Sequence, residues 1–151
     1  MNILLIEDDL TLNELITDYL KLNGNSVVSL EDGMNAIDTI NKTNFDLYII
    51  DINIPHINGL EIVKYIRQKD ISTPIIMITA SMELENFKTA YKNGCDDYIK
   101  KPFYLEELEI RVCLFRLKFS YCIIRDYQKN QMETHLLKSL TPLHMIQSMK
   151  S

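Results

Sequence analysis

DLYIID at residues 46–51 is a short aliphatic run that ends in a carboxylate. A run that is apolar nearly throughout and contains β-branched residues predicts a strand covered on both faces of a parallel sheet. Similar short runs occur on either side of it, at Asn2–Ile6, Ser26–Leu30, Pro74–Thr79 and Asp97–Lys100. The chain therefore has five predicted strands.

Segments with the apolar spacing of amphipathic helices follow these runs. Their apolar stripes begin at Leu12, Ala36, Leu60, Phe87 and Leu105. Five repeats of strand and helix predict a parallel sheet with helices on both faces and right-handed crossovers. We therefore expect a doubly wound α/β domain over about residues 1–119.

Length and composition favour one ordinary globular domain with a short appendage. The 151 residues are 46% hydrophobic and 25% charged, and the formal net charge of -5 argues against nucleic-acid binding by this part of the chain alone. The three cysteines lack metal-ligand spacing, which indicates reduced thiols. The N-terminus does not resemble a signal peptide, and no apolar run is long enough to span a bilayer. We expect a soluble, cytoplasmic protein without a membrane segment.

Polar side chains stand at the carboxyl ends of four of the predicted strands. They are Glu7-Asp8-Asp9, Asp51, Thr79 and Lys100-Lys101. In a doubly wound fold, ligands bind outside the carboxyl ends of the strands, so these groups are expected to converge on one cleft. Each of them alone has a structural explanation, and Asp9 in particular is expected to cap the helix that follows it.

The chemistry of that set points to phosphoryl transfer. Clustered carboxylates repel one another unless a cation lies among them, and hard oxygen ligands without His or Cys suit Mg²⁺. A carboxylate beside such an ion can attack a phosphoryl group, while a lysine ammonium neutralises charge on the transferring oxygens. A threonine hydroxyl can hydrogen-bond the phosphoryl group that results.

Four motifs carry a resemblance to a known family: LLIEDD at 4–9, YIIDINIPHINGLE at 48–61, PIIMITA at 74–80 and GCDDYIKKPF at 94–103. With them, residues 1–119 resemble the receiver domain of bacterial two-component response regulators. The spacings of 28 residues from Asp51 to Thr79 and 22 from Thr79 to Lys101 are typical of that family. The resemblance implies a flavodoxin-like, five-stranded parallel sheet in strand order 2-1-3-4-5.

The resemblance also implies residue roles. Asp51 accepts a phosphoryl group from a sensor histidine kinase, and Mg²⁺ (or Mn²⁺) is held by Glu7, Asp8, Asp51 and the backbone carbonyl of Asn53. Thr79 and Lys101 bind the phosphoryl group, and the bond from Lys101 to Pro102 is expected to be cis. Tyr98 matches the switch aromatic of the family, whereas the alternative is a tyrosine simply packed on the sheet.

The chain also resembles one class of these regulators, the winged-helix (OmpR/PhoB-like) transcription factors. The further resemblance lies at the face that this class uses for dimerisation, which is formed by the fourth helix, fifth strand and fifth helix. Asp97 and Arg111 match one cross-subunit ion pair of that class. Phe87 stands where the class usually has a basic residue, so Glu107 lacks its expected partner. The resemblance implies a homodimer with a more apolar face, while Phe87 as a core residue of the fourth helix is the alternative.

Residues 120–151 leave two readings open. SYCIIRDYQ at 120–128 is a candidate strand, and Thr141-Pro142 is a candidate helix start. This order is similar to the beginning of a winged-helix effector domain, so the segment is either a truncated effector domain or a short linker and C-terminal extension. DNA binding is expected only through a complete effector domain.

Rival functions come from two other classes. Phosphohydrolases with an aspartate nucleophile generally place a second Asp two residues later, but this chain has Asn53 there, which argues against an enzyme with turnover. We expect a signalling receiver that assists its own phosphorylation and slow dephosphorylation. A nucleotide site is disfavoured because GxxxxGK[ST] and GxGxxG are both absent from the sequence. The alternative is a pseudo-receiver that binds a protein partner without phosphorylation.

Overall fold

Five strands and five helices alternate along the chain in the computed structural model, which describes the backbone of residues 1–148 and the side chains of residues 1–134. The strands are β1 (Asn2–Ile6), β2 (Ser26–Leu30), β3 (Leu47–Asp51), β4 (Ile75–Thr79) and β5 (Asp97–Lys100). The helices are α1 (Leu10–Leu22), α2 (Gly33–Lys42), α3 (Gly59–Lys69), α4 (Leu84–Asn93) and α5 (Leu105–Ser148).

The five strands form one parallel sheet in the order β2-β1-β3-β4-β5, which confirms the predicted architecture. The register pairs Ile6 with Ile50, and Thr79 with Lys100. The carboxyl ends of β1, β3, β4 and β5 therefore meet at one edge of the sheet, where the polar residues were expected to converge.

The core lies on the central strands. All five residues of β3 and all five of β4 are buried, and β1 is buried from Ile3 onward. Each burial of a large aliphatic side chain contributes about 1.5–3 kcal/mol. The edge strand β2, with the sequence SVVSL, is exposed at three of its five residues and half-buried at the other two. The hydrophobic runs thus place the ends of β1, β3 and β4 on the most buried part of the sheet.

Side-chain caps set the starts of three helices that border this edge. Asp9 caps α1, as expected, by accepting a hydrogen bond from the Leu12 N–H at 3.1 Å. Asp32 and Asn58 cap α2 and α3 in the same way. Such caps are typically worth about 1 kcal/mol each. They orient the loops that follow β1 and β3.

The C-terminal part of the chain is helical. Residues 120–128 lie inside α5, so the predicted strand is wrong, and so is the predicted helix start at Thr141-Pro142, because α5 continues through both residues. No glycine interrupts the sequence from Leu105 to Ser148, and the apolar pair Ile123-Ile124 is flanked by residues that a helix accommodates. Residues 149–151 of the predicted extension lie outside the described residues.

The chain divides into two compact units, Met1–Arg111 and the part from Val112 onward. The predicted boundary near residue 119 therefore stays a prediction. Among the helices that the structure describes, none combines the length and the apolar character needed to cross a membrane.

Candidate functional site

An acidic cluster lies at the carboxyl edge of the sheet. Glu7 and Asp8 follow β1, and Asp51 ends β3. One carboxylate oxygen from each of the three lies within 4.8 Å of the others. Glu7 and Asp51 are buried, whereas Asp8 is exposed to solvent. The structure thus brings together the three carboxylates that the sequence placed at separate strand ends.

Lys101 enters this cluster from the loop after β5. Its Nζ donates a hydrogen bond to Asp51 Oδ2 at 2.8 Å and lies 2.7 Å from Glu7 Oε2, an ion-pair contact outside hydrogen-bond geometry. The peptide bond from Lys101 to Pro102 is cis, as expected. Glu7, Asp51 and Lys101 are called the buried charge cluster below.

The charges in the buried charge cluster do not balance. The pKa of Glu7 is raised to about 7, mainly by burial and to a smaller extent by the nearby charge of Asp51. The Lys101 ammonium and the Asp9 N–H, which donates to Glu7 Oε1 at 3.0 Å, oppose this rise. Burial also lowers the pKa of Lys101, but the two carboxylates outweigh it and leave that pKa raised. The single positive charge of Lys101 therefore cannot neutralise both carboxylates when Glu7 and Asp51 are ionised.

The donor set fits a hard divalent cation. Its side chains are carboxylates only, and the excess of negative charge favours a cation beside them. Asn53 follows β3, and its backbone N–H donates to Asp51 Oδ1 at 3.2 Å. That bond holds the Asp51 side chain from the opposite oxygen to Lys101. The ligand role of the Asn53 carbonyl stays a prediction.

Thr79 lies fully buried at the end of β4, on the same edge of the sheet. Its hydroxyl oxygen accepts a hydrogen bond from the Ser81 N–H at 3.0 Å. This bond fixes the start of the loop between β4 and α4. The hydroxyl is therefore tied to the segment that leads into α4, the helix that carries Phe87 and Tyr91.

Tyr98 lies in an aromatic cluster with Phe87 and Tyr91. Its ring meets Phe87 edge to face at 5.2 Å between centroids, and Phe87 meets Tyr91 at 4.9 Å. The Tyr98 hydroxyl is buried without a hydrogen-bond partner in the described part of the chain. Burial raises the pKa of Tyr98. Phe87 is 43% exposed, so its alternative reading as a core residue is wrong.

Comparison with known proteins identifies this arrangement. Residues 3–113 match the family described as the response regulator receiver domain. The chain belongs to the response regulator receiver family. The match covers the whole sheet except Asn2 at the start of β1, and it includes every residue of the acidic cluster.

Relatives of this receiver are named as response regulators or transcriptional regulatory proteins. The chain is 37% identical over 112 residues to the transcriptional regulatory protein CiaR of Streptococcus pneumoniae, covering 74% of this chain and 50% of the relative. It is 43% identical over 111 residues to the response regulator ArlR of Staphylococcus epidermidis, again covering 74% and 50%. The chain thus spans about half the length of the curated relatives it matches.

A solved receiver domain shows the same fold. The Francisella response regulator 1452 receiver domain superposes with a TM-score of 0.73 at 33% identity, covering 78% of this chain and 98% of that one. The similarity in structure therefore accounts for nearly the whole of an isolated receiver domain.

The predicted dimer residues of this receiver form ion pairs within one chain. Arg111 donates to both oxygens of Asp97, at 2.7 and 2.8 Å, and to Glu107 Oε1 at 3.2 Å. The sequence interpretation left Glu107 without a partner, because Phe87 stands where the class usually has a basic residue; within this chain Arg111 pairs with Glu107 instead. Asp97, Glu107 and Arg111 are called the surface charge cluster below.

Gly59 is a site residue that the sequence interpretation missed. A Cβ at this position would lie 2.0 Å from the Asp51 carbonyl oxygen, which is backbone and cannot yield. The Gly59 N–H also donates to the Ile52 carbonyl at 2.8 Å. Glycine therefore lets the start of α3 approach the end of β3. The signal in the sequence was the Asn58-Gly59 pair inside the quoted motif at 48–61.

Proposed function

We propose that this receiver accepts a phosphoryl group on Asp51 from the phosphohistidine of a sensor histidine kinase. The observation that supports this most directly is the acidic cluster with Lys101 hydrogen-bonded to Asp51. An Asp51 oxygen forms the new bond to phosphorus while the bond from phosphorus to the kinase imidazole breaks. The released imidazole then takes a proton from solvent.

This chain's own residues orient the nucleophile and neutralise charge. The Asn53 N–H and Lys101 Nζ hold the two oxygens of Asp51, so the carboxylate is preorganised toward the cleft. Lys101 then pairs with the phosphoryl oxygens, and Thr79 hydrogen-bonds one of them. Mg²⁺ (or Mn²⁺) would be held by Asp8, Asp51, the Asn53 carbonyl and Glu7, the last through water, and it supplies further charge neutralisation.

Phosphorylation acts as a switch because Thr79 is linked to the face formed by α4, β5 and α5. When its hydroxyl turns to the phosphoryl group, it gives up the hydrogen bond from Ser81. The space it leaves lets Tyr98 turn inward, and the aromatic cluster with Phe87 repacks. This is a local charge event that biases a two-state packing element.

The output of the switch is control of transcription. Residues 1–119 act as the receiver domain, and residues 120–151 form the linker or extension toward an effector. The whole-length relatives are named transcriptional regulatory proteins, and DNA binding requires a complete effector domain. The protein turns over no separate substrate, and it works in the cytoplasm where the kinase presents its phosphohistidine.

The phosphorylated receiver dimerises through the α4, β5 and α5 face. Forming the family's cross-subunit ion pairs requires Arg111 to release Asp97 within its own chain and to take the partner's aspartate instead. The pair is part-exposed, so this exchange costs little free energy. Phe87 adds apolar contact where other members of the class have a basic residue.

The decisive experiment is phosphorylation by a small donor. Incubation with Mg²⁺ and acetyl phosphate or phosphoramidate should add one phosphoryl group, seen as a gain of about 80 Da in intact mass. Asp51→Asn and chelator should both abolish the gain. An unmodified wild-type chain with intact far-UV circular dichroism would contradict the proposal and favour a pseudo-receiver that binds its partner without phosphorylation.

A further inference from the structure

The part of α5 from Val112 onward carries an exposed apolar stripe made of Leu114, Leu117, Tyr121 and Ile124. The gaps between these residues are three, four and three positions, which is the a and d spacing of a heptad. All four side chains are more than half exposed. A contiguous row of large apolar side chains on a helix marks an interaction surface. We call these four residues the α5 stripe.

We propose that the α5 stripe is the seam of a parallel coiled coil with a second copy of this chain. Val112, on the same helix, is fully buried. At about 100° per residue, Val112 lies on the opposite side of the helix from the α5 stripe. The α5 stripe thus lies on the helix side away from Val112.

Charge decides the orientation of the two helices. With the stripe at a and d, Lys118 and Arg125 occupy e positions, whereas Ser120 and Tyr127 occupy g positions. An antiparallel pair would bring Lys118 of one copy against Arg125 of the other. A parallel pair brings each basic e residue against an uncharged g residue instead. Parallel association therefore avoids a like-charge contact that antiparallel association requires.

Two glutamines set the register of the parallel pair. Gln128 and Gln131 continue the a and d spacing beyond Ile124, and both are exposed. In register, each amide faces its own counterpart, and an amide carries both donors and an acceptor, so the two satisfy one another. Polar groups at such positions specify alignment at some expense of affinity. A shifted register would place the glutamines against apolar side chains.

The length of the seam limits its strength. From Leu114 to Gln131 it spans about two and a half heptads, below the three to four expected of a stable isolated coiled coil. The association is therefore reversible and depends on protein concentration. For a receiver, such an association would keep two copies close together and so raise the effective concentration at which their receiver domains meet. The seam contains no residue of the buried charge cluster, so it does not depend on phosphorylation.

The chain offers a matched pair of variants for the test. Ile123 and Ile124 are neighbours of the same type with exposures of 55% and 56%, but only Ile124 lies in the α5 stripe. We would follow the 151-residue chain by sedimentation equilibrium over a hundredfold concentration range, without Mg²⁺ or phosphoryl donor. We expect reversible dimers, a dissociation constant raised at least about tenfold by Ile124→Lys, and little change for Ile123→Lys.

Cross-linking tests the orientation. Cys113→Ser and Cys122→Ser together provide a background in which Gln131→Cys is oxidised under mild conditions. Gln131 lies at one end of the seam, so a parallel dimer brings the two new thiols together, whereas an antiparallel dimer separates them by the length of the seam. Asn130→Cys is the control, because its side chain lies outside the seam.

Each remaining outcome overturns the proposal. A chain that stays monomeric throughout the concentration range has no such seam, and its stripe is left for another protein. A dimer equally stable with Ile124→Lys uses another face, and a dimer without Gln131 cross-links is not parallel. Asp51→Asn should dimerise like wild type, so a failed phosphorylation experiment leaves this test unaffected. Far-UV circular dichroism of each variant confirms that α5 is retained.

Discussion

The buried and surface charge clusters share a design but differ in depth. In each, one cation bridges two carboxylates, with nitrogen-to-oxygen distances of 2.7 and 2.8 Å in the first and 2.7 and 3.2 Å in the second. The Glu7 and Asp51 side chains are 0% and 4% exposed, whereas Arg111 and Glu107 are 32% and 44% exposed.

That difference in depth changes what the ion pairs do. Burial is the largest influence on Glu7 and raises its pKa, whereas the hydrogen bond from Arg111 to Asp97 is the largest influence on Arg111 and raises its pKa. Similar distances thus give a buried cluster with an excess of negative charge in one place and a part-exposed surface ion pair in the other. Burial, rather than distance, separates the two clusters.

The largest expected effect comes from removing the cation of the buried charge cluster. Lys101→Met leaves Glu7 and Asp51 buried without a counter-charge, so we expect a loss of about 3 kcal/mol in the free energy of unfolding at pH 8. Urea unfolding in chelator measures it. At pH 5, where Glu7 is protonated, part of the loss should be recovered. A loss of stability smaller than that caused by Arg111→Met would contradict the view that burial makes the first cluster different from the second.

The next effect is the pH dependence that Glu7 creates. Its folded-state pKa of about 7 lies above its ordinary value of 4.5, so the folded state holds this proton more tightly than the unfolded state. The stabilisation is complete below pH 4.5 and is lost as pH rises through 7, by up to about 3 kcal/mol without metal.

Glu7→Gln isolates this contribution. In chelator, the urea midpoint of the variant relative to that of wild type should be higher at pH 8 than at pH 5. Glu107→Gln, in the surface charge cluster, is the control and should leave the profile parallel to that of wild type. A wild-type advantage that grows with pH would contradict the sign of the shift.

A smaller effect is expected from the surface charge cluster. Arg111→Met removes a part-exposed ion pair, so we expect a loss of about 0.5–1 kcal/mol in the free energy of unfolding. High salt should shrink this loss, because screening already weakens the exposed pair in wild type. Urea unfolding at low and high salt tests both statements. A loss that is unaffected by salt would mean that packing of the Arg111 stem matters more than its charge.

The smallest effect concerns Tyr98, the residue that follows Asp97 of the surface charge cluster. Its buried hydroxyl has no hydrogen-bond partner among the described residues, so Tyr98→Phe should leave stability unchanged or raise it by about 1 kcal/mol. Thermal unfolding without donor measures this. A clear loss of stability would show that the hydroxyl is satisfied in solution.

Much of the fold was predictable because its signals are local. The central strands β1, β3 and β4 are short aliphatic runs, and Asp9 was predicted to cap α1 because the cap is only three residues from its target. The segment at 120–128 was predicted wrongly because Ile123-Ile124 has β propensity, which is weak against the helix-forming residues around it. Gly59 was missed because a side chain at this position is excluded by the backbone of Asp51, eight residues earlier in the chain.

The sequence by itself determined the alternation of strands and helices and the polar residue that follows each strand end, since both follow from the local order of side chains. Only the tertiary structure decided that Lys101, 50 residues from Asp51, bridges it to Glu7, and that Arg111 pairs within its own chain. It also decided which of two similar ion-pair clusters is buried. The burial of a side chain and its distance from residues far away in sequence depend on how the crossover connections pack those segments together. No local sequence pattern encodes either quantity.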